Sequence, residues 1–196
     1  MIKQEELTKK LQDTLNLLCK TNIVLKDNIE LNELITLKNT TAVINNFITY
    51  KLTLAFIKQL HTWEFVNDSQ YKQIKASAEH TPVNANGFDV VYQGNIGIVA
   101  EVKGNVPCQG TRFGAAQSKS IIKDLFALKN GKPKSISNTE NYYKFMVLID
   151  DSNNIKNALE ALIKSKHMEI LNGEVCIVKN STDISLDKIN IVLIKI

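Results

Sequence analysis

Arginine is nearly missing from this chain: of its 24 basic residues, 23 are lysine and one is Arg112. Cysteine is scarce as well. Cys19, Cys108 and Cys176 are odd in number, far apart and form no CxxC or Cys/His cluster, which indicates neither a zinc site nor a disulfide framework and fits free thiols in a reducing compartment. No apolar run approaches the roughly 20 residues that span a bilayer. The first residues, MIKQEELTKK, are charged where a secretory signal would be apolar. A cytoplasmic protein without a membrane segment is expected.

What remains is an ordinary globular composition, 44% hydrophobic and 22% charged over 196 residues, enough for one domain with a sizeable core. The net charge of +4 permits nucleic-acid binding without demanding it.

Residues 1–63 read as helical. Leu7, Leu11, Leu15 and Leu18 form one amphipathic stripe, and the pattern resumes from Ile29 without glycine or proline, with Asn39, Thr40 and Thr41 as a break and cap between two helices. Residues 66–86 read as a short helix and a loop. Residues 87–104 alternate as two strands joined near QGNIG, a hairpin. A helix follows over 114–132 with Gly131 as its stop, then an apolar strand (YYKFMVLID), a helix capped by Ser152, and two last strands (GEVCIVKN and INIVLIKI). Strands interleaved with helices predict a mixed α/β core over 64–196, carried with the helical region 1–63 in a single domain.

The hairpin poses a chemical question, because its most sheet-like residues include Asp89, Glu101 and Lys103. If the chain turns about Asn95, Asp89 and Glu101 lie equally far on either side and face one another across the pair, with Cβ atoms roughly 4.5–5.5 Å apart. Lys103, two residues on, shares the face of Glu101, while Ile98, Ala100 and Val102 point the other way. Two close carboxylates repel unless a cation lies between them. Such oxygen pairs suit Mg²⁺, with Mn²⁺ able to substitute, and a lysine beside them can position or deprotonate a water or balance charge on phosphorus. The plainer alternative is an exposed, ion-paired sheet face.

FDVV and EVK, with eleven residues between Asp89 and Glu101, together resemble the active-site pattern of the PD-(D/E)xK nuclease superfamily, which includes most type II restriction endonucleases, Holliday-junction resolvases and repair nucleases. The resemblance covers about 45 residues closely and the C-terminal 110 in element order. It implies a restriction-endonuclease-like mixed sheet flanked by helices, with Asp89 and Glu101 as metal ligands and Lys103 serving the attacking water. Phe88 departs from the pattern, standing where many members have proline. The resemblance further implies a Mg²⁺-dependent endodeoxyribonuclease cutting double-stranded DNA, sequence-specific in the manner of a type II restriction enzyme. Such an enzyme acts as a homodimer, its dimer surface here assigned to the helical N-terminus, with a cognate methyltransferase encoded nearby. The alternatives are a structure-selective or repair nuclease of the same fold, or a non-catalytic DNA-binding module.

Several other residues belong to this expectation. Residues 104–134 carry Arg112, Lys119, Lys123, Lys129, Lys132 and Lys134 against Asp124 alone, a local charge of +5 suited to a DNA backbone. Arg112, in the loop before the basic helix, is the candidate for a guanine or phosphate contact, with Lys119 and Lys123 as DNA-binding partners. Gln117 opens that helix as some nuclease branches have it, although Ile121 stands where those branches carry tyrosine. Glu79, or Glu64, is the candidate for an additional acid supplied ahead of the aspartate strand. His80 is a candidate phosphate contact, whereas His61 and His167 read as structural or exposed.

Overall fold

The computed structural model describes residues 12, 30–81, 86–107, 111–150, 153–165, 168, 171 and 173–195. The leucine stripe at 7–18, Cys19, Cys108, His167 and the Ser152 cap lie outside them. Two compact units are present, Met1–Ile44 and Asn45–Ile196. The second holds all of the sheet.

The first described helix, α1 (Leu31–Thr62), runs unbroken through Asn39–Thr41, where a break was expected. The polar triplet does not cap anything. The Thr40 and Thr41 hydroxyls donate to the carbonyls of Thr36 and Leu37, four residues back, so these side chains are satisfied inside the helix. A second helix, α2 (Asp68–His80), begins at a capping box: Asn67 accepts from the Gln70 amide, and Gln70 Oε1 accepts from the Asn67 amide.

The remaining elements are β1 (Val90–Gln93), β2 (Gly97–Lys103), α3 (Ala115–Asn130), β3 (Tyr142–Asp150), α4 (Asn153–Ile163), β4 (Val175–Val178) and β5 (Ile189–Lys195). They match the expected order of strands and helices. The five strands form one mixed sheet in the order β1-β2-β3-β5-β4, antiparallel at the β1–β2 hairpin and parallel elsewhere. Among the described residues no helix is long and apolar enough to cross a membrane.

Both faces of the sheet are covered. On one, Phe56, Ile57 and Leu60 of α1 and Ile74 of α2 pack against Ile98, Ala100, Val102, Phe145 and Val192. On the other, Ile121, Leu125 and Leu128 of α3 and Ile155 and Leu159 of α4 pack against Val99, Met146, Leu148 and Ile191. Burial on both sides explains why β3 and β5 read as nearly continuous apolar runs rather than alternating ones. It also changes the setting of Glu101 and Lys103. Their face of β2 looks at α3, not at solvent.

Candidate active site

The hairpin has the register its sequence suggested: Val90 pairs with Ala100, Val91 with Val99, and the turn centres on Asn95. A side-chain tie holds it there, since Gln70 Nε2 at the start of α2 donates to Asn95 Oδ1 at 2.6 Å. The backbone ladder stops at Val90. Asp89 extends it with its side chain, Oδ2 accepting the Val102 amide at 2.7 Å. The aspartate therefore occupies the place of a strand acceptor at the edge of β2, one residue from Glu101 and one from Lys103.

Glu101 lies in the middle of the sheet interior, 4% exposed, opposite Met146 of β3. The exposed-face alternative is thereby removed. An isolated buried carboxylate would be strongly disfavoured, and two lysines answer the charge of this site. Lys132 Nζ makes an ion pair with Glu101 Oε1. Lys103 Nζ pairs with Asp124 Oδ2 at 2.7 Å. Beyond these lysines, Glu101 Oε1 and Asp124 Oδ2 have no hydrogen-bond partner among the described residues.

The electrostatics follow from burial and crowding. Burial lifts the Glu101 carboxyl to about 7, opposed by Lys132 and reinforced by the neighbouring Asp89 and Asp124. Burial also raises Asp89, against the Val102 amide and the two lysines, which lower it. Burial pulls the Lys103 ammonium down, but its bond to Asp124 and the charges of Asp124, Glu101 and Asp89 outweigh this and hold it above the usual lysine value. Lys103 is thus a fixed cation at neutral pH. It can donate to a water or a phosphate oxygen but has no free pair with which to take a proton.

Asp89, Glu101, Lys103, Asp124 and Lys132 line one cavity of about 520 Å³, together with Asn45, Asn46, Thr49, Tyr50 and Thr53 of α1. Close packing shapes its rim. A Cβ on Gly104 would stand 2.8 Å from Ile48 Cγ2, so any larger residue there would have to push Ile48 of α1 aside.

Asp124 and Lys132 were not singled out from the sequence as site residues. A signal for Asp124 exists: Ile121, Asp124, Leu125 and Leu128 share the buried stripe of α3, and an acid in an apolar stripe asks for a partner. Lys132 offers none, because a tertiary turn delivers it.

The other candidates are not in the cavity lining. Glu79 pairs with Lys75 across 3.8 Å on α2; Ala78 and Thr81 face the cavity, and Glu79 is turned roughly 100° from Ala78 by the helical period. Glu64 sits in the turn after α1 with φ of 56°. Gln117 is engaged at the start of α3, its Oε1 accepting from Gly114 N and its Nε2 donating to the Val106 carbonyl. Arg112, Lys119 and Lys123 are exposed and, with Lys134, make no ion pair among the described residues, whereas Lys129 pairs with Glu174. His61 is tied to Asp68 and stacked on Tyr71, and His80 bonds the Ala76 carbonyl.

Comparison with protein families, with curated proteins and with solved structures finds no match to this chain. The donor set must therefore be judged on its own chemistry. Among the described residues no group of three or more His, Cys, Asp or Glu could hold a metal ion. Mg²⁺ does not need one, since it is commonly held by one or two carboxylates, its remaining positions going to water and substrate phosphate. Asp89 and Glu101 are hard oxygen donors whose charge burial disfavours, so an added cation would favour their ionised forms. The residues fit such an ion.

Proposed function

We propose that this protein is a Mg²⁺-dependent endonuclease of the PD-(D/E)xK type, hydrolysing phosphodiester bonds of double-stranded DNA. The observation that carries the reading is the convergence of Asp89, Glu101 and Lys103 in one cavity, with burial raising both carboxyls from their ordinary values. Hydrolysis joins a water oxygen to phosphorus and breaks the P–O3′ bond, leaving a 5′-phosphate and a 3′-hydroxyl. Asp89 and Glu101 would hold the divalent ion, which supplies Lewis acidity and neutralises phosphate charge. Asp89 is oriented for this by the Val102 amide, and Asp124 keeps Lys103 charged and aimed. The Lys103 ammonium donates to the attacking water or to a non-bridging phosphate oxygen, where negative charge builds as the bond order changes.

The exposed Lys119 and Lys123 on α3 and Arg112 before it supply positive charge for the DNA backbone. Exposed apolar residues of α1 in the first unit, among them Leu31, Ile35 and Val43, support a homodimer surface there. Sequence specificity of the type II restriction kind is the favoured form of the activity.

The test is direct. Purified protein is incubated with unmethylated plasmid and phage DNA, with Mg²⁺ and with EDTA, beside Lys103→Ala. Discrete metal-dependent fragments lost in the variant are expected. Nicking or smearing would point to a structure-selective or repair nuclease. DNA left intact, branched substrates included, would overturn the nuclease reading.

A further inference from the structure

Lys132 makes three contacts at the site. Its Nζ pairs with Glu101 Oε1, donates to the Gly87 carbonyl at 2.7 Å and lies 4.9 Å from the centroid of the Phe88 ring. The side chain is delivered there by a rigid turn. Gly131 ends α3 at φ +86°, where an added Cβ would come within 2.6 Å of the Ser137 and Ile136 carbonyl oxygens. The Lys132 amide then donates to Ile136 O at 2.7 Å, and the Lys132 carbonyl accepts from Ser135 N at 2.9 Å. The aromatic ring just before Asp89 thus serves as one wall of an ammonium seat, since a cation over a ring face is attracted to its electron density.

An ammonium and a divalent ion compete for the same carboxylate, and two cations so close repel. We propose that Lys132 is a resident counter-ion of Glu101 that a divalent cation must displace, so that Lys132 sets the metal concentration at which the site loads. This rests on the reading of Asp89 and Glu101 as divalent-ion ligands. Lys132 is a positioning residue here: it holds Glu101 in the sheet interior when no divalent ion is bound, and its four-carbon stem lets the ammonium yield when one arrives. Lysine suits the task better than arginine in one respect. Its charge is a compact point that leaves through a few torsions, whereas a planar fork would grip both carboxylate oxygens.

The test reads metal binding rather than cleavage. Mn²⁺ is titrated into the full-length protein without DNA, free ion being followed by electron paramagnetic resonance, for wild type, Lys132→Met, Lys132→Gln, Lys132→Arg and Glu101→Gln. Folding of each is checked by circular dichroism; methionine keeps the stem over Phe88, and the glutamine variant stands in if it does not fold. The neutral variants are expected to bind Mn²⁺ about tenfold tighter than wild type, with unchanged stoichiometry. The arginine variant should bind no more tightly than wild type, and Glu101→Gln should lose the site. Neutral variants binding as weakly as wild type, while Glu101→Gln still loses the ion, would overturn the counter-ion role and leave the ligand reading standing. Binding unaffected by Glu101→Gln, or undetectable in every variant, would overturn both.

Discussion

The stability difference between Glu101→Gln and wild type should move in favour of the variant as pH rises. The Glu101 carboxyl titrates near 7 in the folded chain against an ordinary 4.5. Between those two values the folded state keeps a proton that the unfolded chain has released, so stability falls as pH rises. It is intact below about 4.5 and the loss is complete above about 7. At about 1.4 kcal/mol per pH unit the interval is worth about 3 kcal/mol, most of it between pH 5 and pH 8. Glutamine has the same shape and no charge, so the stability difference between variant and wild type should widen by about 2 to 3 kcal/mol over that range. The attraction of Lys132 is already contained in that value, since it opposes burial, and Asp89, which titrates in both proteins, largely cancels. The assay is urea denaturation at fixed pH values in EDTA, with thermal melts as a second measure. For a chain of this size about 1 kcal/mol moves the midpoint by roughly 2–4 °C. A difference that stays flat within about 0.5 kcal/mol, or narrows as pH rises, would show that Lys132 outweighs burial. Glu101 would then be ionised throughout, and the electrostatic account of the site would fail.

Two further outcomes test other parts of the site. Asp124→Asn leaves the Lys103 ammonium with a neutral partner in a largely buried position, and should lower stability by about 1–3 kcal/mol and DNA cleavage by tenfold or more. Asp124→Asn combined with Lys103→Met should regain most of that stability without regaining activity; denaturant midpoints of the single and double variants decide it. Replacing exposed Lys119 and Lys123 by alanine should weaken binding to an unrelated duplex, and should flatten the plot of log affinity against log salt by about 2 if each lysine meets a phosphate. Fluorescence anisotropy in an Asp89→Asn background measures this without cleavage, and an unchanged slope would remove α3 from the DNA contact.

The parts of this structure legible in advance were those set by local rules. The register of the β1–β2 hairpin follows from the glycines around Asn95 and from the strand alternation, and with it the approach of Asp89 to Glu101. The runs at 142–150 and 189–195 are too short and too β-branched for buried helices, and both are strands. Where a residue could satisfy itself in two ways, local reading lost its grip. Thr40 and Thr41 look like a cap by type, yet the same hydroxyls bond backward within a continuing helix, and nothing local distinguishes the two. Glu79 is near the aspartate strand in sequence but is carried off the cavity wall by the helical period.

Asp124 and Lys132 mark a deeper limit. Counted by composition, they are one acid and one base in a basic segment, and both read as part of a solvated face. In the fold they turn inward and exchange partners with the two charged residues of β2: Asp124 with Lys103, Lys132 with Glu101. This crossed pairing explains how a sheet covered on both faces tolerates three carboxylates. It also divides the work between the two lysines. Lys103 is locked by a carboxylate whose Oδ2 has no other partner among the described residues, which suits a charge needed throughout a reaction. Lys132 is held on Glu101, a proposed metal ligand, which suits a charge that must give way.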